Sequence, residues 1–134
     1  MCKSLGIIPL LLVAAAAPAQ QDTVPISFLA DTILVPLSIN GVGPYPFQLD
    51  LASPGPVIDS EVAKFVKLPR VPGVRATRQS TSGKEIAAGA AQITTIEGGA
   101  SVARNLTATV TDLRTFKRRL GSPVAGIISG REFG

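Results

Sequence analysis

The residues that could do chemistry centre on one carboxylate in an apolar stretch. Asp50 stands between Leu49 and Leu51, and the small residues and turn-formers of segment 52–56 come directly after it. In a strand, the two leucines would share one face and Asp50 would take the other. A carboxylate removed from water is costly unless it is hydrogen-bonded or takes part in a reaction. Asp50 is therefore the candidate functional residue, and a hydrogen-bonded aspartate at a strand end is the structural alternative.

Residues 1–19 have the three parts of a secretory signal peptide. Lys3 supplies a positive charge, residues 5–13 supply an apolar core, and Ala17-Pro18-Ala19 is a small-residue cleavage site. The apolar run is shorter than the roughly 20 residues that a membrane-spanning helix needs. We therefore predict cleavage, no stable membrane anchor afterwards, and a periplasmic or secreted bacterial protein. An uncleaved anchor or a buried N-terminal helix is the alternative.

The residue inventory excludes several kinds of chemistry. The chain contains no histidine, and its single cysteine, Cys2, lies within the predicted leader. Histidine-based catalysis and histidine-ligated metal sites are thus excluded, as are disulfides and thiol catalysis in the mature chain. The net charge of +4 falls by one when Lys3 is removed, and it is scattered. We expect no metal, no cofactor and no nucleic-acid partner.

The remaining chain is rich in Val, Ile, Thr, Gly and Pro, which favours one all-β domain with tight turns. We assign residues 20–32 to an N-terminal segment and residues 33–134 to the domain. The patterns predict strands at 24–29, 33–40, 45–51, 57–58, 70–80, 86–97, 100–111 and 124–128, and short helices at 61–66 and 113–120.

The two predicted helices have caps and apolar faces. Asp59 or Ser60 can cap the first helix, whose apolar stripe consists of Val62, Phe65 and Val66.

Asp112 can cap the second helix, and Gly121 can end it. Its predicted inward face is Leu113, Phe116 and Leu120. The cluster Lys117-Arg118-Arg119 is expected to be the solvated face of this helix, with an anion site as the alternative.

The order of these features resembles the retropepsin-like aspartic proteases, specifically small exported bacterial members with a single retroviral-type domain. Segment 34–50 resembles the hairpin that leads into the catalytic loop, 55–69 resembles the segment after that loop, and 105–133 resembles the closing section. The resemblance implies an all-β, closed β-barrel of the retropepsin type with one or two short helices.

In that family the catalytic loop is Asp-Thr-Gly and then Ala or Ser. Aligned without gaps, Asp50 takes the aspartate position, Leu51 the threonine position, Ala52 the glycine position and Ser53 the small fourth position. The resemblance thus implies that Asp50 is catalytic and that Ser53 lies at the substrate. The predicted hairpin tip at 80–84 is a candidate substrate-covering flap with Gly83 as its mobile point. An ordinary β-hairpin is the alternative.

The implied reaction is peptide-bond hydrolysis by two carboxylates that share one proton, without metal or cofactor. One such loop per chain supplies one aspartate, so an active enzyme must be a homodimer acting on a peptide or protein. The other aspartates are expected in turns, caps or tails: Asp22, Asp31, Asp59 and Asp112.

Three positions depart from the family pattern. Leu51 lacks the hydroxyl with which the family's threonine locks two loops together, and Ala52 adds a methyl group where the family has glycine. Near the C-terminus, Ser129 comes directly after Ile127-Ile128, so that Gly130 is one position late. The family domain normally continues through a short helix into a terminal strand. We therefore expect either a gene product that is truncated or degenerate after Gly134 or a fragment that was cut there, with the barrel incomplete at this end.

These observations leave three hypotheses. The first is an aspartic-type endopeptidase-like domain with an Asp dyad in a homodimer. The second is a catalytically inactive periplasmic domain of the same fold that binds peptide or protein. The third is an unrelated β-sandwich structural module, although a capped helix after residue 59 argues against regular sandwich strands.

Overall fold

A computed structural model describes residues 23–73, 76–79 and 85–134. The predicted leader at 1–19, Asp22 and the hairpin tip at 80–84 with Gly83 lie outside the described residues.

The described part of the chain forms eight strands, two α-helices and a 3₁₀ turn. The strands are β1 (Ser27–Leu29), β2 (Thr32–Ile39), β3 (Val42–Leu49), β4 (Val57–Asp59), β5 (Ala76–Gln79), β6 (Glu85–Gly98), β7 (Ser101–Thr111) and β8 (Gly126–Ile128). The helices are α1 (Ser60–Phe65) and α2 (Arg114–Leu120), and the 3₁₀ turn is Arg131–Phe133.

Six of these strands close into a barrel. The sheet order is β1-β2-β3-β8-β4-β7-β6-β5, and β2 also pairs with β6 through Ser38–Glu97 and Ile39–Ile96. The ring therefore runs β2-β3-β8-β4-β7-β6 and returns to β2. The predicted all-β closed barrel with short helices is confirmed, and the β-sandwich hypothesis is wrong because one sheet closes on itself.

Asn40-Gly41 forms the turn that leads to the candidate site. Both residues have positive φ, 49° and 77°, as the sequence predicts for a tight hairpin turn. The Asn40 side-chain oxygen accepts hydrogen bonds of 3.0 Å from the backbone N–H groups of Thr94 and Thr95 on β6. The β2–β3 hairpin is thereby attached to β6 at its tip as well as through its strands.

The barrel interior is filled by aliphatic side chains and one aromatic ring. Within parts of three strands every second residue packs into the core, as expected for strands with one buried face: Val35, Leu37 and Ile39 on β2, Ala91 and Ile93 on β6, and Leu106, Ala108 and Val110 on β7. The largest fully buried apolar side chains are Ile39, Phe47, Ile58, Ile93, Ile96, Val124 and Ile128.

β8 lies between β3 and β4. It pairs in parallel with β3 and antiparallel with β4. At Gly126, a Cβ atom would collide with the backbone oxygen of Val57 and with the ring of Phe47. Only glycine lets this strand come so close to both neighbours.

Several local predictions need correction. Phe65, predicted to face inward, is 74% exposed, and the buried residue of α1 is Ala63. These positions are two residues apart, about 200° around a helix, so one must face solvent when the other packs. Val62 and Val66 do pack against the core. Within the predicted strand at 70–80, the described regular strand is Ala76–Gln79, and Arg70 makes an isolated bridge to Ala91.

We predict that Gly126→Ala destabilises the barrel by about 1–3 kcal/mol, because an added methyl group overpacks the site between β3 and β4. Urea unfolding monitored by far-UV circular dichroism measures this change. Gly55→Ala is the matched control, since a Cβ there meets no heavy atom within 4 Å. Equal midpoints for the two variants would show that β8 does not need the glycine.

Candidate active site

Asp50 directly follows β3, at the start of the loop that leads to β4. Its backbone N–H donates to the carbonyl of Ile128 at 2.9 Å, which extends the β3–β8 ladder by one residue. Its carbonyl accepts a 3.0 Å hydrogen bond from the N–H of Ser53. The backbone of Asp50 is therefore fixed on one side by β8 and on the other by its own loop.

The Asp50 carboxylate is half-buried. Its Oδ1 accepts a 3.0 Å hydrogen bond from the backbone N–H of Ala52. Ala52 is not among the residues with positive φ, so its methyl group is accommodated without left-handed backbone. The methyl group that replaces the family's glycine thus leaves this N–H close to the carboxylate.

Leu51 does not occupy the position expected from strand alternation. β3 ends at Leu49, and Leu51 lies in a turn with 75% of its surface exposed. Leu49 packs against the core instead. The expectation that both leucines share one face is wrong, because the chain leaves the strand before Asp50.

Ser53 is 7% exposed, and its hydroxyl donates to the carbonyl of Gly55 at 2.8 Å. This bond holds the far side of the loop and is compatible with the small residue expected at that position. A role for Ser53 in binding substrate stays a prediction, as does that of Gly83, which lies outside the described residues.

Arg131 is a contributor to the loop that sequence reasoning missed. Its Nη2 donates to the Ser53 carbonyl at 2.9 Å, and so connects the 3₁₀ turn to the loop of Asp50. The sequence feature that could have indicated this contact is the similarity of segment 130–133 to the family's closing section. That similarity alone gives no role to the guanidinium group.

A second interaction lies at the 3₁₀ turn. Ser129 donates its hydroxyl to Glu132, at 2.9 and 3.1 Å from the two carboxylate oxygens. Gly130, one position later than in the family pattern, has a φ of 88° and so still supplies the left-handed residue before the turn.

Asp59 is a buried carboxylate, which corrects its prediction as a helix cap. It is fully buried, and its Oδ1 accepts a 2.9 Å bond from the N–H of Leu113. Its Oδ2 accepts a 2.9 Å bond from the Lys117 ammonium group. The hydrogen bond to Asp59 holds the pKa of Lys117 above its usual value. The N-cap position of α1 therefore has no side-chain cap, because the Asp59 carboxylate is used between β4 and α2.

The three residues of the basic cluster on α2 have different environments. Lys117 is largely covered and paired with Asp59, whereas Arg118 and Arg119 are exposed as predicted for a solvated face. Asp112 accepts a 2.9 Å bond from the N–H of Arg114 at the start of α2. A hydrogen bond from the Arg114 side chain also lowers the pKa of Asp112.

Among the described carboxylates, Asp50 and Asp59 have opposite environments. Both oxygens of Asp59 are used by internal donors, whereas Asp50 is half-exposed at the start of its loop. Asp59 therefore cannot act as the partner of Asp50 within one chain. Within residues 23–73, 76–79 and 85–134, no three Cys, Asp or Glu side chains are grouped so that they could hold a metal ion.

An apolar groove of about 460 Å³ lies elsewhere on the barrel. Tyr45, Phe65, Val124 and the Asp59–Lys117 pair contribute to its lining, and Asp50 does not. A cleft that holds substrate at Asp50 is thus not this groove.

A family model described as aspartyl protease matches residues 35–132. The chain belongs to the retropepsin-like aspartyl protease family. The match covers the hairpin, the Asp50 loop, β8 and most of the 3₁₀ turn, and it confirms the family and fold inferred from the sequence. No curated protein and no solved structure matches the chain. In the part of the chain that the structure describes, no helix has the length and apolar character needed to cross a membrane.

We predict that Asp59→Ala lowers the free energy of unfolding by about 2–4 kcal/mol, because it leaves Lys117 without its buried counterion and Leu113 N–H without an acceptor. Chemical denaturation measures the change. Asp112→Ala, which removes an exposed carboxylate paired with Arg114, should change stability little. Similar losses for both variants would contradict a special role for the buried pair.

Proposed function

We propose that this protein is an aspartic-type endopeptidase that hydrolyses peptide bonds through two Asp50 carboxylates brought together in a homodimer. One observation carries the proposal. Asp50 is a half-exposed carboxylate at the family's aspartate position, in a loop whose two arms are both paired with β8. Family membership supports a protease-like activity, and the geometry of the loop supports Asp50 as its centre.

The proposed reaction needs two carboxylates close enough to share one proton, since neighbouring like charges cannot both ionise. The ionised carboxylate takes a proton from a water molecule, and the protonated one donates to the carbonyl oxygen of the scissile bond. Asp59 is committed to Leu113 and Lys117, so the second carboxylate comes from Asp50 of a second copy. Two-fold symmetry brings identical loops together.

The loop contacts would support catalysis by limiting movement of the carboxylate. The Ala52 N–H fixes Oδ1, the Ile128 carbonyl fixes the backbone, and Arg131 fixes the carbonyl of Ser53. Donors and acceptors that are already in place need no reorganisation when charge develops in the transition state. The proposed substrate is a peptide or a protein segment that can reach the two-fold axis in extended form.

Leu51 favours a second candidate function, a catalytically inactive domain that binds peptide or protein. A leucine cannot make the hydroxyl contact that the family's threonine makes, and each loss of about 1.4 kcal/mol of transition-state stabilisation slows the reaction tenfold. In this alternative, the Asp50 loop retains its fold and peptide affinity without turnover.

We also propose that the protein works outside the cytoplasm of a bacterium, in the periplasm or after secretion. The support is the order of charge, apolar core and small-residue cleavage site in residues 1–19.

Asp50→Asn should abolish cleavage of an unstructured peptide at mildly acidic pH, by roughly 10³-fold or more in kcat/KM, because it removes the ionisable group from both halves of the dyad. Cleavage is measured with a peptide that carries a fluorophore and a quencher. Asp31→Asn, an identical change at an exposed turn residue, is the control and should retain full activity.

Undiminished cleavage by Asp50→Asn would overturn the dyad mechanism. Binding of the same peptide by a wild-type protein that does not cleave it would support the inactive binding domain instead.

A further inference from the structure

Helix α1 presents an aromatic ring to solvent between two lysines. Phe65 is 74% exposed, and Lys64 and Lys67 beside it are exposed as well. Ala63, the buried residue of α1, lies on the opposite side of the helix, so the ring cannot reach the core while Ala63 packs there. Phe65 is thus an apolar side chain that the barrel leaves in water, with a cation on either side along the chain.

The groove of about 460 Å³ adds apolar surface next to this ring. Phe65 and Val62 line it from α1, and further apolar lining comes from Tyr45, Pro123 and Val124. A contiguous exposed apolar surface of this kind marks a site of contact with a protein or a membrane. A substrate held by the proposed dyad would not use this groove, so the peptidase does not account for the surface.

The charged side chains that line the groove are bonded to one another. The Lys117 ammonium group lies 2.9 Å from the Asp59 carboxylate and 3.5 Å from that of Glu61. A site for one particular ligand usually has a few polar groups placed to fix its orientation. Because these charged groups are already paired, the groove favours a partner that needs only apolar contact and opposite charge.

The contact between α1 and α2 collects positive charge on this side of the barrel. The Lys117–Glu61 pair joins the two helices. Segments 59–67 and 112–120 together have an excess of three positive charges, which equals the net charge of the chain without Lys3. The rest of the chain after the predicted leader is therefore neutral overall. The basic residues of the two segments are Lys64, Lys67, Arg114, Lys117, Arg118 and Arg119, and the acidic ones are Asp59, Glu61 and Asp112.

We propose that this surface binds reversibly to a membrane that contains anionic phospholipid. The Phe65 ring enters the boundary between head groups and acyl chains, and the basic side chains of α1 and α2 meet the phosphate groups. The apolar stems of Lys64 and Lys67 lie along this boundary while their ammonium groups stay at the head groups. Binding of this kind needs no membrane-spanning segment. The inference goes beyond the proposed peptidase and does not depend on it.

Strand β1 supplies a matched control for Phe65. Phe28 is 71% exposed, nearly the same fraction. No Lys or Arg occurs in segment 23–63, and Asp31 follows Phe28 three residues later. Exposure of an aromatic ring alone would give the two positions equal affinity for a membrane. The lysines on either side and the apolar groove are the features that Phe28 lacks.

Fluorescence from a single labelled site tests the insertion directly. In the full chain with Cys2→Ser, the added Phe65→Cys change introduces the only thiol, which carries a polarity-sensitive fluorophore, and Phe28→Cys in the same background is the control. Both rings are exposed, so neither change removes a core side chain. With phosphatidylcholine vesicles that contain phosphatidylglycerol, we expect a blue shift at position 65 and none at position 28. With pure phosphatidylcholine, we expect no shift at either position.

The absence of a shift at position 65 on the anionic vesicles would overturn the proposal. Equal shifts at positions 65 and 28 would also overturn it, because they would indicate adsorption through another part of the chain. An equal shift at position 65 on neutral and anionic vesicles would contradict the role of charge.

Lys64→Gln tests the contribution of charge at the surface itself. In the labelled Phe65→Cys protein, loss of one cation near the membrane should raise the lipid concentration at half-maximal shift about fivefold. Arg104→Gln removes an equal charge from an exposed position of β7, outside both helices. It should leave that concentration nearly unchanged, because exposed charges are screened beyond about 8 Å at physiological ionic strength. Equal increases for the two variants would contradict a binding surface formed by α1 and α2.

Discussion

The candidate site depends on one three-residue strand that both arms of the Asp50 loop use as their partner. β3 enters the loop and β4 leaves it, and each pairs with β8 rather than with the other. The carbonyl of Ile128, the last residue of β8, then accepts the N–H of Asp50. Gly126 makes this arrangement possible, since no larger residue fits between Phe47 and the backbone of Val57. The loop is thus positioned by a strand that comes much later in the chain, and Arg131 just beyond β8 adds a contact to Ser53.

Two buried or half-buried aspartates in this small barrel have different uses because their surroundings differ. Asp59 is covered, accepts bonds from Leu113 and Lys117, and connects β4 to α2, so its charge serves to hold the fold. Asp50 accepts a bond from Ala52 and remains partly exposed at the start of its loop. A chain in which one carboxylate is structural and the other accessible is suited to a dyad built from two copies, which is the arrangement that we propose.

Local signals predict the strands, the turns and the order of elements well. Asn40-Gly41 requires positive φ, and alternation along β2, β6 and β7 indicates one buried face, so both can be read from neighbouring residues alone. The contacts that the sequence did not predict join residues that are distant along the chain. The role of Asp59 depends on Lys117, 58 residues later, and the Ser53 carbonyl depends on Arg131, 78 residues later. Phe65 is misplaced by the sequence pattern because a six-residue helix is too short for periodicity to choose between Ala63 and Phe65 as the inward residue.

The central claim is that two chains share one catalytic centre, and inhibitor stoichiometry tests it most directly. A peptide analogue with a hydroxyl-bearing tetrahedral carbon in place of the scissile carbonyl mimics the transition state, and titration calorimetry at mildly acidic pH counts its sites. We predict one inhibitor per two chains, with binding lost in Asp50→Asn. One inhibitor per chain, or binding that is unchanged by Asp50→Asn, would contradict a dyad shared between two copies.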